Sequence, residues 1–352
     1  MTILVTGGAG FIGSNFIYSA LNSLNEDLVN LDLLTYAGNL ENLHSLESNN
    51  KHIFVKGDIN DLGLLKELIQ TYQPRAIINF AAESHVDRSI LGPEVFINTN
   101  VYGVFRLLEA SKEYWETLRG RDQEAFRFLQ VSTDEVFGSL DATDSPFSEV
   151  HRYAPNSPYS ASKASADHLV RAYNRTYGLP TLTTNCSNNY GPYQFPEKLI
   201  PLVLANALEE KTLPVYGDGK QIRDWLYVKD HCEALLKVIE SGLIGETYNI
   251  GGNSELTNLD VIHQICSSLD NINPRKGGRS YKDLIEFVKD RPGHDRRYAV
   301  DATKLKNTLN WEPAETFRSG LRKTIDWYMN NQTWVGRVRS GQYREWVVKQ
   351  YG

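Results

Sequence analysis

The chain has 352 residues and a formal net charge of −6, and this composition argues against a nucleic-acid-binding surface. The N-terminus lacks a signal-peptide pattern, and no apolar run approaches the length of a membrane span. The three cysteines lie far apart, which argues against a disulfide framework and a cysteine metal site. We therefore expect a cytoplasmic protein with a small-molecule substrate, no metal, and neither nucleic acid nor a membrane as partner.

The first half of the chain alternates apolar runs with segments of helical periodicity. The apolar runs predict strands at 2–6, 28–32, 53–58, 76–82 and 126–132. Helical patterns lie near 11–24, 61–71, 94–117 and 159–177. Continuous apolar strands separated by helices indicate a parallel sheet that is covered on both faces. We therefore predict an α/β fold with a Rossmann-like, doubly wound parallel sheet.

The second half has a looser pattern, in which glycine, proline and aromatic residues cluster. It predicts a smaller C-terminal α/β lobe that binds substrate and packs over the strand ends. We place the first domain at 1–185 and the lobe at 186–352. The boundary is soft, because T-Y-N-I-G (247–251) is a candidate strand that returns to the first sheet.

A glycine-rich turn follows the first strand directly. T-G-G-A-G-F-I-G places Gly7, Gly10 and Gly13 between a strand and a helix, where they allow a tight turn, close approach of a pyrophosphate and close packing. Asp32 ends the second strand and can bind a ribose diol, which favours NAD over NADP. Asp58 follows the third strand, where it could meet the adenine. The alternative is a structural glycine turn with a solvated Asp32.

Tyr159 and Lys163 lie four residues apart in N-S-P-Y-S-A-S-K, a segment that resembles a helix start. On a helix they would share one face. A nearby ammonium and a positively charged nicotinamide would both favour the phenolate, which could take a proton from a sugar hydroxyl. The alternative is surface or core packing, since Tyr216 and Lys220 have the same spacing beside two glycines that disfavour a helix.

In V-S-T-D-E-V-F (131–137), two neighbouring acids, Asp134 and Glu135, follow a hydroxyl pair at the end of an apolar run. Acids are poor strand formers, and close carboxyl groups repel each other, so that one is more easily kept protonated. In extended backbone their side chains would diverge and could address different atoms. The alternative is a pair of solvated loop acids that cap a strand.

Together these motifs resemble the extended short-chain dehydrogenase/reductase family, whose members act on nucleotide sugars. Within it, the chain is most similar to the 4,6-dehydratases that act on dTDP-glucose. The similar segments extend over nearly the whole chain: 34–39, 81–89, 132–138, 187–201, 223–228 and 291–298. The resemblance implies bound NAD as cofactor and a hydro-lyase reaction. That reaction oxidises C4, eliminates water across C5 and C6, and returns hydride to C6.

The resemblance also implies residue roles. Glu135 would be the C5 base, Asp134 the acid for the C6 hydroxyl, and Thr133 would bond the C4 oxygen beside Tyr159. With Lys163, these form the expected catalytic set. The expected cofactor residues are Gly7, Gly10, Phe11, Ile12, Gly13, Asp32, Leu33, Thr35, Asp58, Ile59, Ala81, Ala82, Thr99, Tyr159, Lys163 and Asn189.

The expected substrate residues have weaker support from the sequence alone. Cationic side chains suit the pyrophosphate, an aromatic ring can stack on thymine, and amides can bond substrate. These residues are Ser84, His85, Thr133, Asn188, Lys198, Leu199, Pro214, Tyr216, Arg223, Asn258, Arg291 and His294. The alternatives are ordinary surface charges, core packing and structural histidines.

Other functions on the same fold stay open at this point. A UDP-hexose 4-epimerase needs the Thr, Tyr and Lys but no carboxylate pair, because it eliminates no water. Another nucleotide-sugar 4,6-dehydratase or a non-catalytic NAD-binding sensor is also compatible with the glycine turn. The resemblance further implies a homodimer, built through a four-helix bundle from the helices near 94–117 and 159–177.

Overall fold

The computed structural model describes residues 1–290 and 295–341. The strands are β1 Thr2–Thr6, β2 Asp27–Asp32, β3 His52–Lys56, β4 Ala76–Asn79, β5 Arg127–Thr133, β6 Thr181–Cys186, β7 Asn188–Tyr190, β8 Leu213–Tyr216, β9 Ile222–Tyr227, β10 Thr247–Ile250, β11 Glu255–Thr257, β12 Ile285–Val288 and β13 Arg297–Tyr298. The α-helices are α1 Phe11–Ser23, α2 Leu62–Tyr72, α3 Val86–Leu91, α4 Glu94–Phe96, α5 Val104–Thr117, α6 Gly120–Ala125, α7 Pro158–Tyr177, α8 Leu199–Leu208, α9 Val228–Ser241, α10 Asn258–Ile272, α11 Thr303–Leu309, α12 Phe317–Asn330 and α13 Gln332–Ser340. A π-helical segment, Ile97–Gly103, joins α4 to α5, and 3₁₀ helices cover Leu40–Leu46, Asp134–Phe137, Lys276–Gly278 and Tyr281–Leu284.

Seven parallel strands form the main sheet in the order β10-β6-β5-β4-β1-β2-β3. One face packs on α1 and α9 through buried side chains such as Phe16 and Leu235. The other face packs on α2, α5 and α7 through side chains such as Leu65, Leu107 and Val170. This arrangement confirms the predicted Rossmann-like α/β fold, because the apolar strands are covered by helices on both sides.

The smaller lobe has its own apolar core, built mainly from α8, α10, α12 and α13. Strand β9 pairs with β11, β13 and β7, and β8 pairs with β12. The segment Thr247–Ile250 is not part of this lobe, since it forms the edge strand beside β6 in the main sheet. The division of the chain near residue 185 stays a prediction.

Local signals explain how helix α7 begins and ends. Ser157 is its N-cap and exchanges hydrogen bonds with Ser160 at 3.1 and 3.0 Å, while Pro158 occupies the first helical turn. Gly178 ends the helix in the left-handed conformation, with φ of 76°. This start fixes Tyr159 as the second residue of the helix, close to the end of β5.

No helix within the described residues is long and apolar enough to cross a membrane. In the same part of the chain, no group of three or more His, Cys, Asp or Glu side chains is placed to hold a metal ion. All three cysteines are buried and unpaired.

Candidate active site

A cavity of about 310 Å³ lies at the carboxyl ends of the parallel strands, where ligands bind in open α/β sheets. All of the predicted cofactor residues line this cavity, and so do all of the predicted catalytic residues. Four of the predicted substrate residues also line it: Ser84, Thr133, Asn188 and Lys198. The structure therefore brings predicted residues from segments that are far apart in the chain together at one cavity.

The glycine turn leaves no room for a side chain at Gly7 or at Gly13. A Cβ atom on Gly7 would lie 2.6 Å from the backbone nitrogen of Ala81, and Gly7 has φ of +71°. A Cβ atom on Gly13 would lie 2.3 Å from the carbonyl oxygen of Gly7. Gly10 is the N-cap of α1 and provides no side-chain cap, so the first N–H groups of the helix remain available to an anion at the cavity.

Asp32 is buried at the cavity rather than solvated. Its two carboxylate oxygens accept hydrogen bonds from the backbone N–H of Ala9 at 2.9 Å and of Leu34 at 2.8 Å. Burial raises the pKa of Asp32, while these two bonds act in the opposite direction. Each carboxylate oxygen has a second lone pair, so Asp32 can close the turn and still accept from a ribose hydroxyl.

Tyr159 is 8% exposed and lies deep in the cavity wall. Burial raises its pKa well above the usual value, Glu135 adds to this effect, and a hydrogen bond with Thr133 opposes it. Lys163 donates to the carbonyl oxygen of Val131 at 2.8 Å, and burial lowers the pKa of Lys163. The pKa of Tyr159 is therefore raised despite Lys163, and the expected phenolate depends on the second charge named in the prediction, that of the nicotinamide. In the protein alone the phenol keeps its proton, and a further positive charge is needed to ionise it.

The acid pair does not continue the strand. Thr133 ends β5 and caps the 3₁₀ helix Asp134–Phe137 by accepting from the N–H of Glu135 at 3.3 Å. The expectation of extended backbone at the pair is therefore wrong. The two side chains still diverge, because successive residues of a 3₁₀ helix are about 120° apart around its axis.

The two acids differ in environment. Asp134 is 2% exposed, and its Oδ2 atom has no hydrogen-bond partner among the described residues. Burial, Glu135 and Asp224 all raise the pKa of Asp134 well above its usual value. Glu135 is half-buried. Burial therefore makes Asp134 the carboxyl group of the pair that is more easily kept protonated, which suits an acid rather than a base.

Arg223 approaches this acid pair from the smaller lobe. It is buried, donates to the carbonyl oxygens of Ile222 at 2.7 Å and Asp295 at 3.0 Å, and lies over the Tyr298 ring at 4.3 Å. Its positive charge lowers the pKa of Asp134, although less than burial raises it. Arg223 therefore lies in the wall beside the acid and is not among the residues that line the cavity.

Asn188 and Lys198 are the predicted substrate residues with the clearest positions at the cavity. The Oδ1 atom of Asn188 is buried without a partner among the described residues, so it is available to a donor on a ligand. The ammonium of Lys198 lies 3.4 Å from the carbonyl oxygen of Ser84.

Five other predicted substrate residues within the described part of the chain are not among the residues that line the cavity. His85 caps α3 by accepting from the N–H of Arg88 at 3.4 Å. Leu199 begins α8, Asn258 begins α10, and both Pro214 and Tyr216 belong to β8. Arg291 and His294 lie outside the described residues.

One contact at the site had no signal in the sequence. The Nδ1 atom of the fully buried His231 lies 2.9 Å from Oδ1 of Asn189. The Asn189 amide nitrogen donates to the Ser187 carbonyl oxygen at 3.0 Å, so its oxygen accepts from the histidine. Burial lowers the pKa of His231 to about 3. A neutral histidine on α9 therefore orients Asn189, although the two residues are 42 positions apart in the chain.

The parallel sheet, the glycine turn and the buried Thr133, Tyr159 and Lys163 define a Rossmann-fold enzyme of the short-chain dehydrogenase/reductase class. The acid pair distinguishes it within that class. The sequence matches the family described as GDP-mannose 4,6 dehydratase over residues 4–324. The chain belongs to this family.

Individual relatives agree with this assignment over the full chain. A dTDP-glucose 4,6-dehydratase from Xanthomonas campestris pv. campestris is 62% identical over 343 residues, which cover 97% of each chain. A dTDP-glucose 4,6-dehydratase from Escherichia coli K12 is 54% identical over 359 residues, covering 100% of this chain and 99% of the relative.

Solved structures show the same fold. A Bacillus anthracis dTDP-glucose 4,6-dehydratase in complex with NAD is 48% identical, with a TM-score of 0.85 and coverage of 96% of this chain and 99% of that chain. A Streptomyces venezuelae dTDP-glucose 4,6-dehydratase with NAD and TYD bound is 43% identical, with a TM-score of 0.87 and coverage of 96% and 100%. A UDP-glucose 4-epimerase from Thermotoga maritima is only 28% identical, with a TM-score of 0.83 and coverage of 94% and 100%.

Proposed function

We propose that this protein is a dTDP-glucose 4,6-dehydratase that uses bound NAD and forms dTDP-4-keto-6-deoxyglucose and water. The observation that carries the proposal is the buried Asp134 beside Glu135, in the same cavity as Tyr159. A reaction that only transfers hydride needs no such pair. The relatives of that name, up to 62% identical, support the same conclusion.

The cavity fits NAD. The glycine turn offers N–H groups to a pyrophosphate, Asp32 offers carboxylate oxygens to a ribose, and Asp32 would repel a 2′-phosphate. When bound, NAD supplies the hydride acceptor for C4 and the hydride donor for C6. Its nicotinamide also supplies the positive charge that the buried Tyr159 phenol lacks in the protein alone.

The residues of the chain move the protons. Tyr159 takes the proton of the C4 hydroxyl, and Thr133 holds the C4 oxygen. The resulting ketone acidifies the C5 proton, which Glu135 removes, while Asp134 protonates the departing C6 hydroxyl. Glu135 then returns its proton to C5. The deeper burial of Asp134 supports this division of roles, because the acid must begin each turnover protonated.

This scheme leaves one proton out of place after each turnover. Tyr159 has gained the proton of the C4 hydroxyl, and Asp134 has lost its own to water. Thr133 lies between the two groups: its hydroxyl donates to Asp134 Oδ1 at 3.3 Å and also hydrogen-bonds Tyr159. A transfer from Tyr159 to Thr133, and from Thr133 to Asp134, would restore both groups.

On the substrate side, we assign Asn188, Lys198 and Ser84 to contacts inside the cavity. Arg223 would bond the pyrophosphate from the lobe, and Tyr216 would stack on the base. Tyr216 is 46% exposed and therefore accessible to a ligand. His85, Leu199, Pro214, Asn258, Arg291 and His294 stay predicted substrate residues.

We also propose that the protein acts as a cytoplasmic homodimer through the helical segment 94–117 and α7. Exposed apolar side chains support an interface near the first segment: Ile90, Leu91, Val95, Ile97 and Tyr102. Light scattering on the purified protein is expected to give twice the chain mass, and a monomer at micromolar concentration would contradict the dimer.

Incubation with dTDP-glucose tests the function directly. Proton NMR is expected to show loss of the C6 hydroxymethyl signals and growth of a C6 methyl signal coupled to H5. The main alternative, a UDP-hexose 4-epimerase, predicts a galactose configuration with the hydroxymethyl group intact. It has less support, because it leaves Asp134 and Glu135 without a role.

A further inference from the structure

Helix α7 carries a third ionisable residue in line with Tyr159 and Lys163. Asp167 lies one turn beyond Lys163, on the same helix face. Asp167 and Lys163 are each 4% exposed. A buried ammonium remains charged only if an anion compensates it. Asp134 does not supply that anion if it begins the reaction protonated, whereas Asp167 offers a buried carboxylate one helical turn from Lys163.

Three donors hold the Asp167 carboxylate in place. Its Oδ2 atom accepts from Ser132 at 2.7 Å, from Tyr153 at 3.3 Å and from Asn185 at 3.5 Å. Hydrogen bonds of this kind favour the charged form of a carboxyl group. Asn185 also donates to the carbonyl oxygen of Thr133 at 3.2 Å, which connects this network to the catalytic strand end.

A second cavity, of about 490 Å³, adjoins Asp167 from the surface. The Oδ1 atom of Asp167 has no hydrogen-bond partner among the described residues. The charged groups on this side are the cations Arg152, Arg171, Arg175 and Lys304 and the acids Glu149 and Glu246, with His151 and His168 beside them. On the active-site side, the titratable groups Tyr159, Asp134, Glu135 and Cys186 line the same cavity as Lys163.

We propose that Asp167 is a positioning residue whose carboxylate keeps the Lys163 side chain charged beside Tyr159. The proposal rests on the proposed function as far as catalysis is concerned. Lys163 donates to the Val131 carbonyl oxygen, so Asp167 acts on the ammonium by its charge rather than by orienting it directly. The attraction between the two groups raises the pKa of Lys163 and lowers that of Asp167.

The kinetic test compares two variants that change the network in different ways. Asp167→Asn keeps the shape of the side chain and removes its charge, whereas Tyr153→Phe removes one hydrogen bond and keeps the charge. For Asp167→Asn, we expect the alkaline limb of the kcat–pH profile to move down by about one pH unit. The KM for dTDP-glucose should change by less than about twofold. The limb should not move in Tyr153→Phe.

A loss of activity in Asp167→Asn without a shift of the limb would overturn the proposal, because it would indicate a purely structural role. An equal shift in both variants would also overturn it, since the charge would then not be the cause. Bound NAD, measured after purification, confirms that each variant retains the folded cofactor site.

A measurement on the unaltered holoenzyme does not depend on any variant of Asp167 or on catalysis. The protein is labelled with ¹³C at lysine Cε, and the Lys163 resonance is assigned by its absence in Lys163→Gln. The pKa of Asp167 is raised by burial to about 6. The Lys163 resonance should therefore respond as the pH passes through about 6, and a resonance that does not respond would overturn the proposal. If dTDP-glucose gave no product, the proposed function would fail while this measurement would still decide the role of Asp167.

Discussion

The strand-end cavity and the wall of the smaller lobe differ in how many of their predicted site residues line the cavity. At the strand ends, every predicted cofactor and catalytic residue lines one cavity. In the lobe, the predicted substrate residues Pro214, Tyr216, Arg223 and Asn258 lie on β8, β9 and α10, outside the lining of that cavity. A motif with a required backbone geometry fixes where its residues lie in the fold, whereas side chains chosen for their chemistry alone have no such constraint.

The physical cause of this difference is visible in two examples. A glycine at position 7 is required because a Cβ atom there would collide with the backbone at Ala81. The position of Arg223, by contrast, depends on pairing between β9 and β13, whose residues are more than seventy apart in the chain. The experiments below test the two regions separately.

The largest effect is expected for the tyrosine at the strand ends. Tyr159→Phe removes the proton acceptor for the C4 hydroxyl, so turnover should fall by about a hundredfold to ten-thousandfold. NAD should remain bound, which absorbance of the purified protein can measure. Tyr216→Phe is the matched control in the lobe, because the same change there keeps the ring that would stack on the base. Equal losses in both variants would contradict the assignment.

The acid pair should separate two steps of the reaction. Asp134→Asn and Glu135→Gln should slow elimination by about a hundredfold or more while slowing C4 oxidation much less. NADH should therefore accumulate in a stopped-flow absorbance trace when dTDP-glucose is added. If oxidation and elimination slowed to the same extent, the roles assigned to the pair would be wrong.

A smaller effect is expected for Arg223 in the lobe wall. Arg223→Gln removes a guanidinium that would bond the pyrophosphate, so KM for dTDP-glucose should rise by about tenfold. The same change removes a charge that lowers the pKa of Asp134. The pKa of that acid should rise further, so the elimination step, followed as the decay of NADH, should stay fast to higher pH than in the unaltered protein. Arg223→Lys keeps the charge and should move only KM. Unchanged KM in both variants would exclude a substrate contact.

The smallest effect at neutral pH is expected for His231. Its pKa is lowered from 6.5 in the unfolded chain to about 3 in the folded protein. Below pH 6.5 the unfolded chain therefore binds a proton that the folded protein does not, and stability falls as the pH falls. This group should account for about 2 kcal/mol of lost unfolding free energy between pH 7 and pH 5.

His231→Gln should remove that contribution while keeping a donor for Asn189. Urea unfolding at the two pH values measures it, and the comparison with the unaltered protein cancels the titration of other groups. An acid-induced loss that is the same in both proteins would show that His231 does not titrate as described.

The sequence predicted what local chemistry determines. The apolar runs predicted the parallel sheet, and the segment around Ser157 predicted the start of the helix that carries Tyr159 and Lys163. Other features depend on contacts between distant segments. The burial of Asp134 and the bond between His231 and Asn189 arise only once the sheet and the lobe are packed together. The 3₁₀ helix at the acid pair was missed because both acids follow an apolar strand without a break.

The central claim is that one hydride leaves C4 and returns to C6 of the same sugar while the acid pair expels water. It can be tested with dTDP-glucose that carries deuterium at C4, mixed with unlabelled substrate. Mass spectrometry and NMR of the product should place the deuterium in the C6 methyl group, with no exchange between labelled and unlabelled molecules. Deuterium that is retained at C4 of a hexose with an intact hydroxymethyl group, or lost to water, would contradict this account.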